Sequence, residues 1–172
     1  MKEIHNFLSD KDLDWLNEGI FYYDFPWYRG LKVQLDMNPS GRLQHILSHT
    51  FLTRSPGNPN EAIHSDWFWI IRPFADKFLK EIKAKRLIRL KLNLGYSNGI
   101  QEEGGWHTDY DDKNYKIAIL YLNTNNGYTL LEDGTKISSV ENKLALFDNV
   151  SHTDVTNTDT EERVVLNIGY TI

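Results

Sequence analysis

The stretch IRLKLNLGY, residues 88–96, alternates apolar and polar side chains without interruption. This period of two is typical of a β-strand that has one face in a core. Shorter strand-like stretches follow at residues 116–122, 128–131, 135–140, 143–147 and 163–170. Turns separate most of them, including Asn125-Asn126-Gly127, Glu132-Asp133-Gly134 and Glu141-Asn142. Many short strands at this spacing predict an antiparallel sandwich or barrel.

Helices are predicted only in the N-terminal half. Ser9 precedes a polar and apolar pattern over Asp10–Asn17, which indicates a short N-capped helix. A second helix is predicted from about Trp67 to Lys83, with Ser65-Asp66 supplying its cap. Pro73 should kink this helix or mark its true start, because proline cannot donate a helical hydrogen bond.

The remaining N-terminal residues predict less regular structure. Leu31–Leu35 alternates like a strand, Arg42–Leu52 is a second candidate strand, and Ser55–Asn60 should be a loop. Helices come early and strands late, so the fold class is α+β and β-rich. We expect one domain over residues 1–172, with a helical support at about 1–85 and a β core at about 86–172.

Composition limits the partners and the metal chemistry. The chain of 172 residues has 19 basic and 24 acidic side chains, hence a formal net charge of −5, which disfavours nucleic acid as a partner. A local exception is Lys80–Lys91, which is rich in Lys and Arg. The sequence has no cysteine, so a metal must be bound by imidazole and carboxylate groups.

Location follows from the absence of targeting signals. Residues Met1–Ser9 contain no long apolar run and no small-residue cleavage site. No segment reaches the roughly 18 apolar residues that a membrane span needs. We therefore expect a cytoplasmic protein without a membrane partner.

Three of the six histidines begin an H-x-D tripeptide, at His64, His107 and His152. With 24 acids in 172 residues, about one such match is expected by chance, so context has to select among them. His64 precedes the second predicted helix and fits a capping loop. His152 has no histidine after it, so it cannot open a pair whose third member lies downstream. His107-Thr108-Asp109 instead lies between two predicted strands.

His107, Asp109 and His152 together form a candidate metal site. Residues i and i+2 of a strand face the same side, so His107 and Asp109 can point into one cavity. His152 follows the strand at 143–147 and lies 152 − 107 = 45 residues after His107. Two imidazoles and one carboxylate are the ligand set of non-haem iron(II), with positions left open. The alternative interpretation is three unrelated surface residues near strand ends.

Arg163 suggests an anionic ligand. It begins the last predicted strand, 163 − 152 = 11 residues after His152. If it faces inward with Val165 and Asn167, its buried charge needs an anionic partner. A bound dicarboxylate would match the guanidinium bidentately. Pairing with Glu161-Glu162 at the surface is the alternative.

These motifs resemble the 2-oxoglutarate-dependent oxygenases, most closely the prolyl 4-hydroxylase-like branch and the short members carried by phages. The similarity covers roughly half of the chain, from about Ile88 to the C-terminus. It implies a double-stranded β-helix, a jelly-roll-like core with the N-terminal helices packed outside. The residues that carry it are Leu94-Gly95-Tyr96, Trp106-His107-Thr108-Asp109, Ile117-Ala118-Ile119-Leu120-Tyr121-Leu122-Asn123, Val150-Ser151-His152 and Arg163-Val164-Val165-Leu166-Asn167.

The resemblance implies a role for each matching residue. His107, Asp109 and His152 would bind iron(II), and Arg163 would bind the distal carboxylate of the cosubstrate 2-oxoglutarate. Dioxygen would be the second cosubstrate. Halogenating members carry a small residue at the position of Asp109, so a carboxylate there implies hydroxylation.

Two tyrosines match positions near the cosubstrate in this family. Tyr121 would assist Arg163, and Tyr96 would line the cosubstrate pocket, although either could equally be a core aromatic. The sequence departs from the family at Asn126-Gly127-Tyr128-Thr129, where a Gly-Gly pair followed by a polar residue is frequent.

The resemblance predicts hydroxylation of a prolyl residue in a peptide or protein. An oxidative nucleic-acid demethylase and a non-catalytic cupin-like binding module are the alternatives. The loops expected beside the metal carry an acidic rim that would suit a cationic peptide, unless these charges only solvate the loops. The rim consists of Glu102, Glu103, Asp111 and Asp112.

Overall fold

The computed structural model describes residues 1–22, 24–29, 46–55 and 58–172 of the chain. Antiparallel strands dominate, and two helices lie in the N-terminal half. The elements are β1 (Lys2–Ile4), α1 (Asp10–Ile20), β2 (Tyr28–Arg29), β3 (Ile46–Ser55), β4 (Asn58–His64), α2 (Phe68–Ile82), β5 (Arg86–Tyr96), β6 (Lys116–Tyr121), β7 (Asn125–Leu131), β8 (Lys136–Ser139), β9 (Lys143–Asp148), β10 (His152–Val155) and β11 (Glu162–Thr171).

The strands form two sheets. The larger has the order β1-β9-β6-β11-β5-β3-β2, with β4 paired to β3 outside this path, and the smaller has the order β10-β7-β8. Two isolated bridges, at Glu103 and His107, extend the smaller sheet beyond β10. This two-sheet architecture confirms the predicted β-rich α+β class with a jelly-roll core.

Each face of the larger sheet contributes to a different core. Leu90, Leu92 and Leu94 of β5 are buried with side chains of α1 and α2 on the outer face. The inner face packs against the smaller sheet in a second cluster, here called the inner core. It consists of Ile117, Ile119, Tyr121, Leu131, Ile137, Ala145, Phe147 and Val165. The alternation of residues 88–96 therefore predicted β5 correctly, because its apolar side faces the helices.

The two helices differ in how they begin. Ser9 accepts a hydrogen bond from the Asp12 amide at 3.3 Å, which confirms the predicted cap of α1. Trp67 is the N-cap residue of α2 and makes no side-chain capping bond. Ser65 instead accepts from the Trp67 amide at 3.0 Å, so it shapes the preceding turn. Pro73 lies within α2 and does not mark its start.

No helix in the described ranges is long and apolar enough to cross a membrane.

Several predicted boundaries were wrong. Asn125-Asn126-Gly127 is not a turn but the start of β7, where the register with β8 shifts. Residues 58–60 were expected in a loop and belong to β4, an edge strand that tolerates Pro59 because one side needs no ladder bond. His64 ends β4 and is not a loop residue.

The N-terminal part contains strands that were not predicted. Residues 1–85 contain four described strands in addition to α1 and α2. β1 joins the larger sheet at its edge by pairing with β9. The strand predicted at Leu31–Leu35 lies outside the described residues.

Asn142 fastens the N-terminal segment to the turn between β8 and β9. Its side chain accepts from the Leu8 amide at 2.8 Å and donates to the Leu8 carbonyl at 2.9 Å. Its own carbonyl accepts from the Phe7 amide at 3.0 Å. Its backbone is left-handed, with φ of 58°, a conformation that asparagine tolerates better than most residues.

We predict that Asn142→Ala destabilises the protein by about 2–4 kcal/mol, because two buried groups of Leu8 lose their partners and alanine is strained at this φ. Asn142→Gly removes the same hydrogen bonds without the strain and should cost about 1 kcal/mol less. Urea denaturation followed by circular dichroism measures both. Unfolding free energies equal to that of the wild type would contradict this role of Asn142.

Candidate metal and cosubstrate site

The structure brings His107, Asp109 and His152 together at one end of the two sheets. The candidate ligand atoms of the three side chains all lie within 4.8 Å of one another. His107 and His152 form a backbone pair: each amide donates to the other residue's carbonyl, at 3.0 and 2.9 Å. Their ring centroids are 4.7 Å apart. His107 lies outside the regular strands, and this pairing aligns it with His152 of β10.

Both imidazoles are oriented for binding a cation. The Nδ1 atom of His107 lies 2.9 Å from the Gly105 carbonyl, and Nδ1 of His152 lies 2.9 Å from the Val150 carbonyl. Because a carbonyl oxygen only accepts, each Nδ1 carries the proton, and the Nε2 lone pair is available to a metal.

Asp109 is held in its ionised form by Arg89. Burial by itself would raise the pKa of Asp109, but the adjacent Arg89, His152 and His107 keep it below its ordinary value. One guanidinium nitrogen of Arg89 donates to Asp109 Oδ1 at 2.6 Å. A carboxylate has enough lone pairs to keep this bond and still bind a metal. Arg89 was not singled out as a site residue, although the period of two in β5 placed it on the inner face.

Burial lowers the pKa of His152, with partial compensation from the Val150 carbonyl and Asp109. At neutral pH the ring is therefore neutral, which is the form that binds metals. His152 is thus neutral and Asp109 is ionised, and these are the protonation states in which the two side chains bind a metal.

The other histidines of the described ranges have different surroundings. His49 is buried, with Nδ1 2.8 Å from the Pro26 carbonyl and Nε2 2.8 Å from the Ser65 hydroxyl. His64 packs against the Phe68 ring at 4.4 Å. Of the residues that the structure describes, only His107, Asp109 and His152 form a group able to bind a metal ion.

Arg163 faces inward, which is the first of the two directions that the sequence had left open. Its side chain is buried, and the residue is 8% exposed. Nε donates to the Ser139 hydroxyl at 2.9 Å, and a terminal nitrogen donates to the Thr129 hydroxyl at 3.2 Å. No ion pair joins Arg163 to an acid in the described part of the chain, so the alternative of pairing with Glu161-Glu162 does not hold. Two neutral hydroxyls leave this buried charge uncompensated.

Tyr121 lies beside Arg163, as the resemblance implied. The guanidinium carbon is 5.6 Å from the centre of the Tyr121 ring. The phenol donates to the Thr129 hydroxyl at 2.9 Å, so both side chains converge on one oxygen. Burial raises the pKa of Tyr121, which keeps the hydroxyl protonated.

Sequence reasoning missed a second buried cation next to Tyr121. Lys143 is 1% exposed, and its Nζ lies 5.5 Å from the centre of the Tyr121 ring. Unlike Arg163, it has an acidic partner: Nζ contacts Glu3 at 3.1 Å and the Ser138 hydroxyl at 3.0 Å. Glu3 belongs to β1, and nothing in the sequence indicated that this strand pairs with β9.

The structure does not bring Tyr96 to this group. Gly95 pairs with Arg163 across the sheet, so its neighbour Tyr96 lies on the opposite face. Tyr96 is 51% exposed and borders a cleft with Ile46 and Leu47. The structure therefore places Tyr96 away from Arg163 and Tyr121, because one step along a strand changes the face.

The sequence departure at Asn126–Thr129 has a structural counterpart. A Cβ atom at Gly127 would come within 2.9 Å of Arg163 Cδ and of the Val155 carbonyl. Glycine at this position thus leaves room for the Arg163 side chain, and Thr129, two residues later, binds it.

No protein-family model matches the sequence, and no curated protein matches it at sequence level. Solved structures do match. An oxidoreductase of the 2OG-Fe(II) oxygenase family from Burkholderia pseudomallei aligns with a TM-score of 0.69 and 11% identity, covering 97% of this chain and 82% of that one. A prolyl hydroxylase from Trichoplax adhaerens, in complex with a hypoxia inducible factor peptide fragment, aligns with a TM-score of 0.67 and 13% identity, covering 99% and 82%.

The chain has the fold of the 2-oxoglutarate- and iron(II)-dependent oxygenases. This confirms the resemblance at the level of fold. The same oxygenase fold also occurs in the non-heme alpha ketoglutarate dependent epimerase SnoN, which aligns with a TM-score of 0.60 and 12% identity, covering 98% of this chain and 76% of that one. The fold is therefore compatible with more than one reaction outcome.

We predict that the protein binds one divalent ion per chain, with cobalt(II) and zinc(II) as probes in calorimetric titration. His107→Ala, Asp109→Ala and His152→Ala should each abolish this binding, because three ligands leave none to spare. His64→Ala is the matched control and should bind like the wild type. Loss of binding in His64→Ala with retention in His152→Ala would show that the wrong residues were assigned.

Proposed function

We propose that the protein is an iron(II)- and 2-oxoglutarate-dependent dioxygenase that hydroxylates a C–H bond. The observation that carries this proposal is the buried Arg163, which has no acidic partner among the described residues. It donates to Thr129, which lies two residues along β7 from the cross-strand partner of His152. A cofactor-free fold would have little reason to retain an uncompensated guanidinium in its inner core. A carboxylate of a bound cosubstrate would compensate it.

The spacing between Arg163 and the three candidate ligands supports a short diacid. Thr129, which binds the guanidinium, lies two residues before Leu131, the cross-strand partner of His152. Two residues of an antiparallel strand span about 7 Å. Both face the inner core, so a five-carbon diacid such as 2-oxoglutarate fits between the metal position and Arg163.

The donor set favours iron(II) over structural zinc. Two neutral imidazoles and one carboxylate would bind the ion on one side and leave the other positions open. A structural zinc site is closed by four protein ligands, and the described residues offer three. When bound, iron(II) with 2-oxoglutarate and dioxygen supplies the oxidising chemistry, with succinate and carbon dioxide as coproducts.

The protein's own residues would bind and orient these groups. Arg163 would bind the distal carboxylate of 2-oxoglutarate, and its own direction is set by Thr129 and Ser139. Arg89 restrains the carboxylate of Asp109. The inner core contains buried apolar side chains on both sheets, and an apolar environment strengthens charge interactions.

We further propose that the substrate is a prolyl residue of a peptide or protein. The support is the fold similarity to prolyl hydroxylases, one of which was solved with a peptide. In this chain the loops before and after His107 are largely exposed at residues 98–103 and 111–114, so an extended segment can reach the metal position. Proline brings a restricted backbone and loses little entropy on binding.

A cytoplasmic location stays a prediction.

Arg163→Met should weaken 2-oxoglutarate binding by about 30-fold or more, because one partner of a buried charge pair is removed. Metal affinity should stay unchanged. Isothermal titration of the zinc-loaded protein measures both constants. Arg72→Met, at an exposed arginine of α2, is the matched control. An unaltered dissociation constant for 2-oxoglutarate in Arg163→Met would overturn the cosubstrate assignment.

The iron-loaded protein should convert proline-containing peptides into products that are heavier by one oxygen, with succinate formed in equal amount. The comparison compounds are free proline and methylated single-stranded DNA, with Asp109→Ala as the inactive control. Mass spectrometry and a succinate assay give the two readouts. Turnover with the methylated DNA alone would replace the prolyl hydroxylase proposal by a nucleic-acid demethylase. Binding of metal without any turnover of 2-oxoglutarate would favour a cupin-like binding module.

A further inference from the structure

Lys91 projects from the inner face of the larger sheet. Across the strands it lies in one row with Thr50 and Asn167, and Asn167 in turn pairs with Ile119 of the inner core. Cross-strand partners share a face, so Lys91 points to the same side as the inner core. Arg89, two residues earlier, reaches Asp109 from this same face. Lys91 therefore stands beside the candidate metal site.

The inner face changes from apolar to polar at this point. The inner-core residues of the larger sheet come from β6, β9 and β11, and none comes from β5 or β3. On β5 and β3 the corresponding positions are polar, and we call them the polar ledge. The polar ledge consists of Ser48, Thr50, Arg89, Lys91 and Asn93.

Lys91 is the one cation of the polar ledge that has no acid. Asp109 is already bonded to Arg89 at 2.6 Å. Lys91 makes no hydrogen bond and no ion pair with the described residues, although it is half-buried. Burial lowers the pKa of Lys91, Arg89 lowers it further, and Asp109 opposes both. A second positive charge beside Arg89 is therefore electrostatically unfavourable until an anion arrives.

Other polar atoms on and beside the polar ledge also lack partners. Arg89 Nε, Asn93 Oδ1 and the Tyr110 hydroxyl are buried without a hydrogen bond. Buried polar atoms in proteins are nearly always bonded, so these atoms are available to a polar ligand or to water. Their mixture of donors and acceptors suits a polar ligand better than an apolar one.

Lys91 lies too far from Arg163 to bind the same carboxylate. Arg163 pairs with Gly95, four residues along β5 from Lys91, which corresponds to about 14 Å. The two side chains thus belong to different subsites, and the distal carboxylate of 2-oxoglutarate, bound at Arg163, does not account for Lys91. The other carboxylate would be compensated by the metal ion itself.

We propose that Lys91 binds a carboxylate of the substrate that is oxidised, so that this oxygenase acts on anionic substrates. The inference rests on the proposed function, because it takes Arg163 for 2-oxoglutarate. One uncompensated positive charge matches a monoanion, which favours a carboxylate over a dianionic phosphate. The carboxylate can belong to the chain terminus of a small prolyl compound or to an acidic side chain next to the target residue.

This inference reverses the expected role of the acidic rim. Asp111 and Asp112 are exposed, so water and salt screen them, whereas Lys91 is half-buried. The nearer and less solvated charge dominates at the metal position. A cationic peptide would be drawn to the rim and repelled by Lys91 and Arg89.

The test uses the zinc-loaded protein saturated with 2-oxoglutarate, and two pairs of probes that differ only by a carboxylate. N-acetylproline is compared with N-acetylprolinamide, and the difference in their affinities measures the contribution of a terminal carboxylate. A blocked Pro-Glu dipeptide is compared with blocked Pro-Gln, which reports a side-chain carboxylate. Calorimetry measures each dissociation constant in the wild type, Lys91→Met and Lys91→Arg, and thermal melts verify that the variants are folded.

In the wild type, the acid of at least one pair should bind about tenfold more tightly than its amide or more, the range of a hydrogen bond to a charged group. Lys91→Arg should retain this preference, and Lys91→Met should lose it while its affinities for zinc and 2-oxoglutarate stay unchanged. Equal binding of acid and amide, no binding of either, or a preference that survives in Lys91→Met would overturn the role of Lys91 and leave the proposed function intact. Failure of the wild type to bind zinc and 2-oxoglutarate would instead overturn the proposed function.

Discussion

Two backbone hydrogen bonds between His107 and His152 hold the candidate metal site together. They join residues that lie 152 − 107 = 45 positions apart and place the two imidazole rings 4.7 Å apart, tilted by 46° to each other. Each ring is also oriented by the carbonyl two residues before it, which accepts a hydrogen bond from Nδ1. Gly104 allows this approach, because a Cβ atom there would come within 2.5 Å of Asp154 Oδ1. The metal site thus depends on a strand pairing of very few residues.

The partly or fully buried cations of the two sheets differ in whether they have an acidic partner. Lys143 is compensated by Glu3, and Arg89 is compensated by Asp109, so neither requires a ligand for its stability. Arg163 and Lys91 have no such acid among the described residues, and they lie at different levels of the larger sheet, four residues apart along β5. Because an uncompensated charge in a poorly solvated place raises the free energy of the protein alone, both are poised to favour an anion. A dicarboxylate cosubstrate and an anionic substrate would account for the two.

The sequence predicted the strands and helices whose apolar and polar residues alternate regularly. It missed the strands that form only because they pair with another strand. The alternation in residues 88–96 predicted β5, and Ser9 predicted the start of α1. β10 has four residues and was missed, since a short strand has no pattern of its own and exists through its pairing with β7. The Asn125-Asn126-Gly127 sequence has the composition of a turn, yet the ladder with β8 draws it into β7. Tyr96 was misplaced because a single step along a strand changes the face.

Residue patterns alone were enough to predict the β-rich class and the candidate triad His107, Asp109 and His152, but they left the direction of Arg163 open. These follow from periodicity and from the kinds of ligand that a chain without cysteine can offer. Only the tertiary structure decided which cations are neutralised. Glu3 and Lys143 are 143 − 3 = 140 residues apart, and Arg89 and Asp109 meet across the inner face of the sheet. Charge compensation depends on distances of a few ångströms between remote segments, and no local pattern encodes such distances.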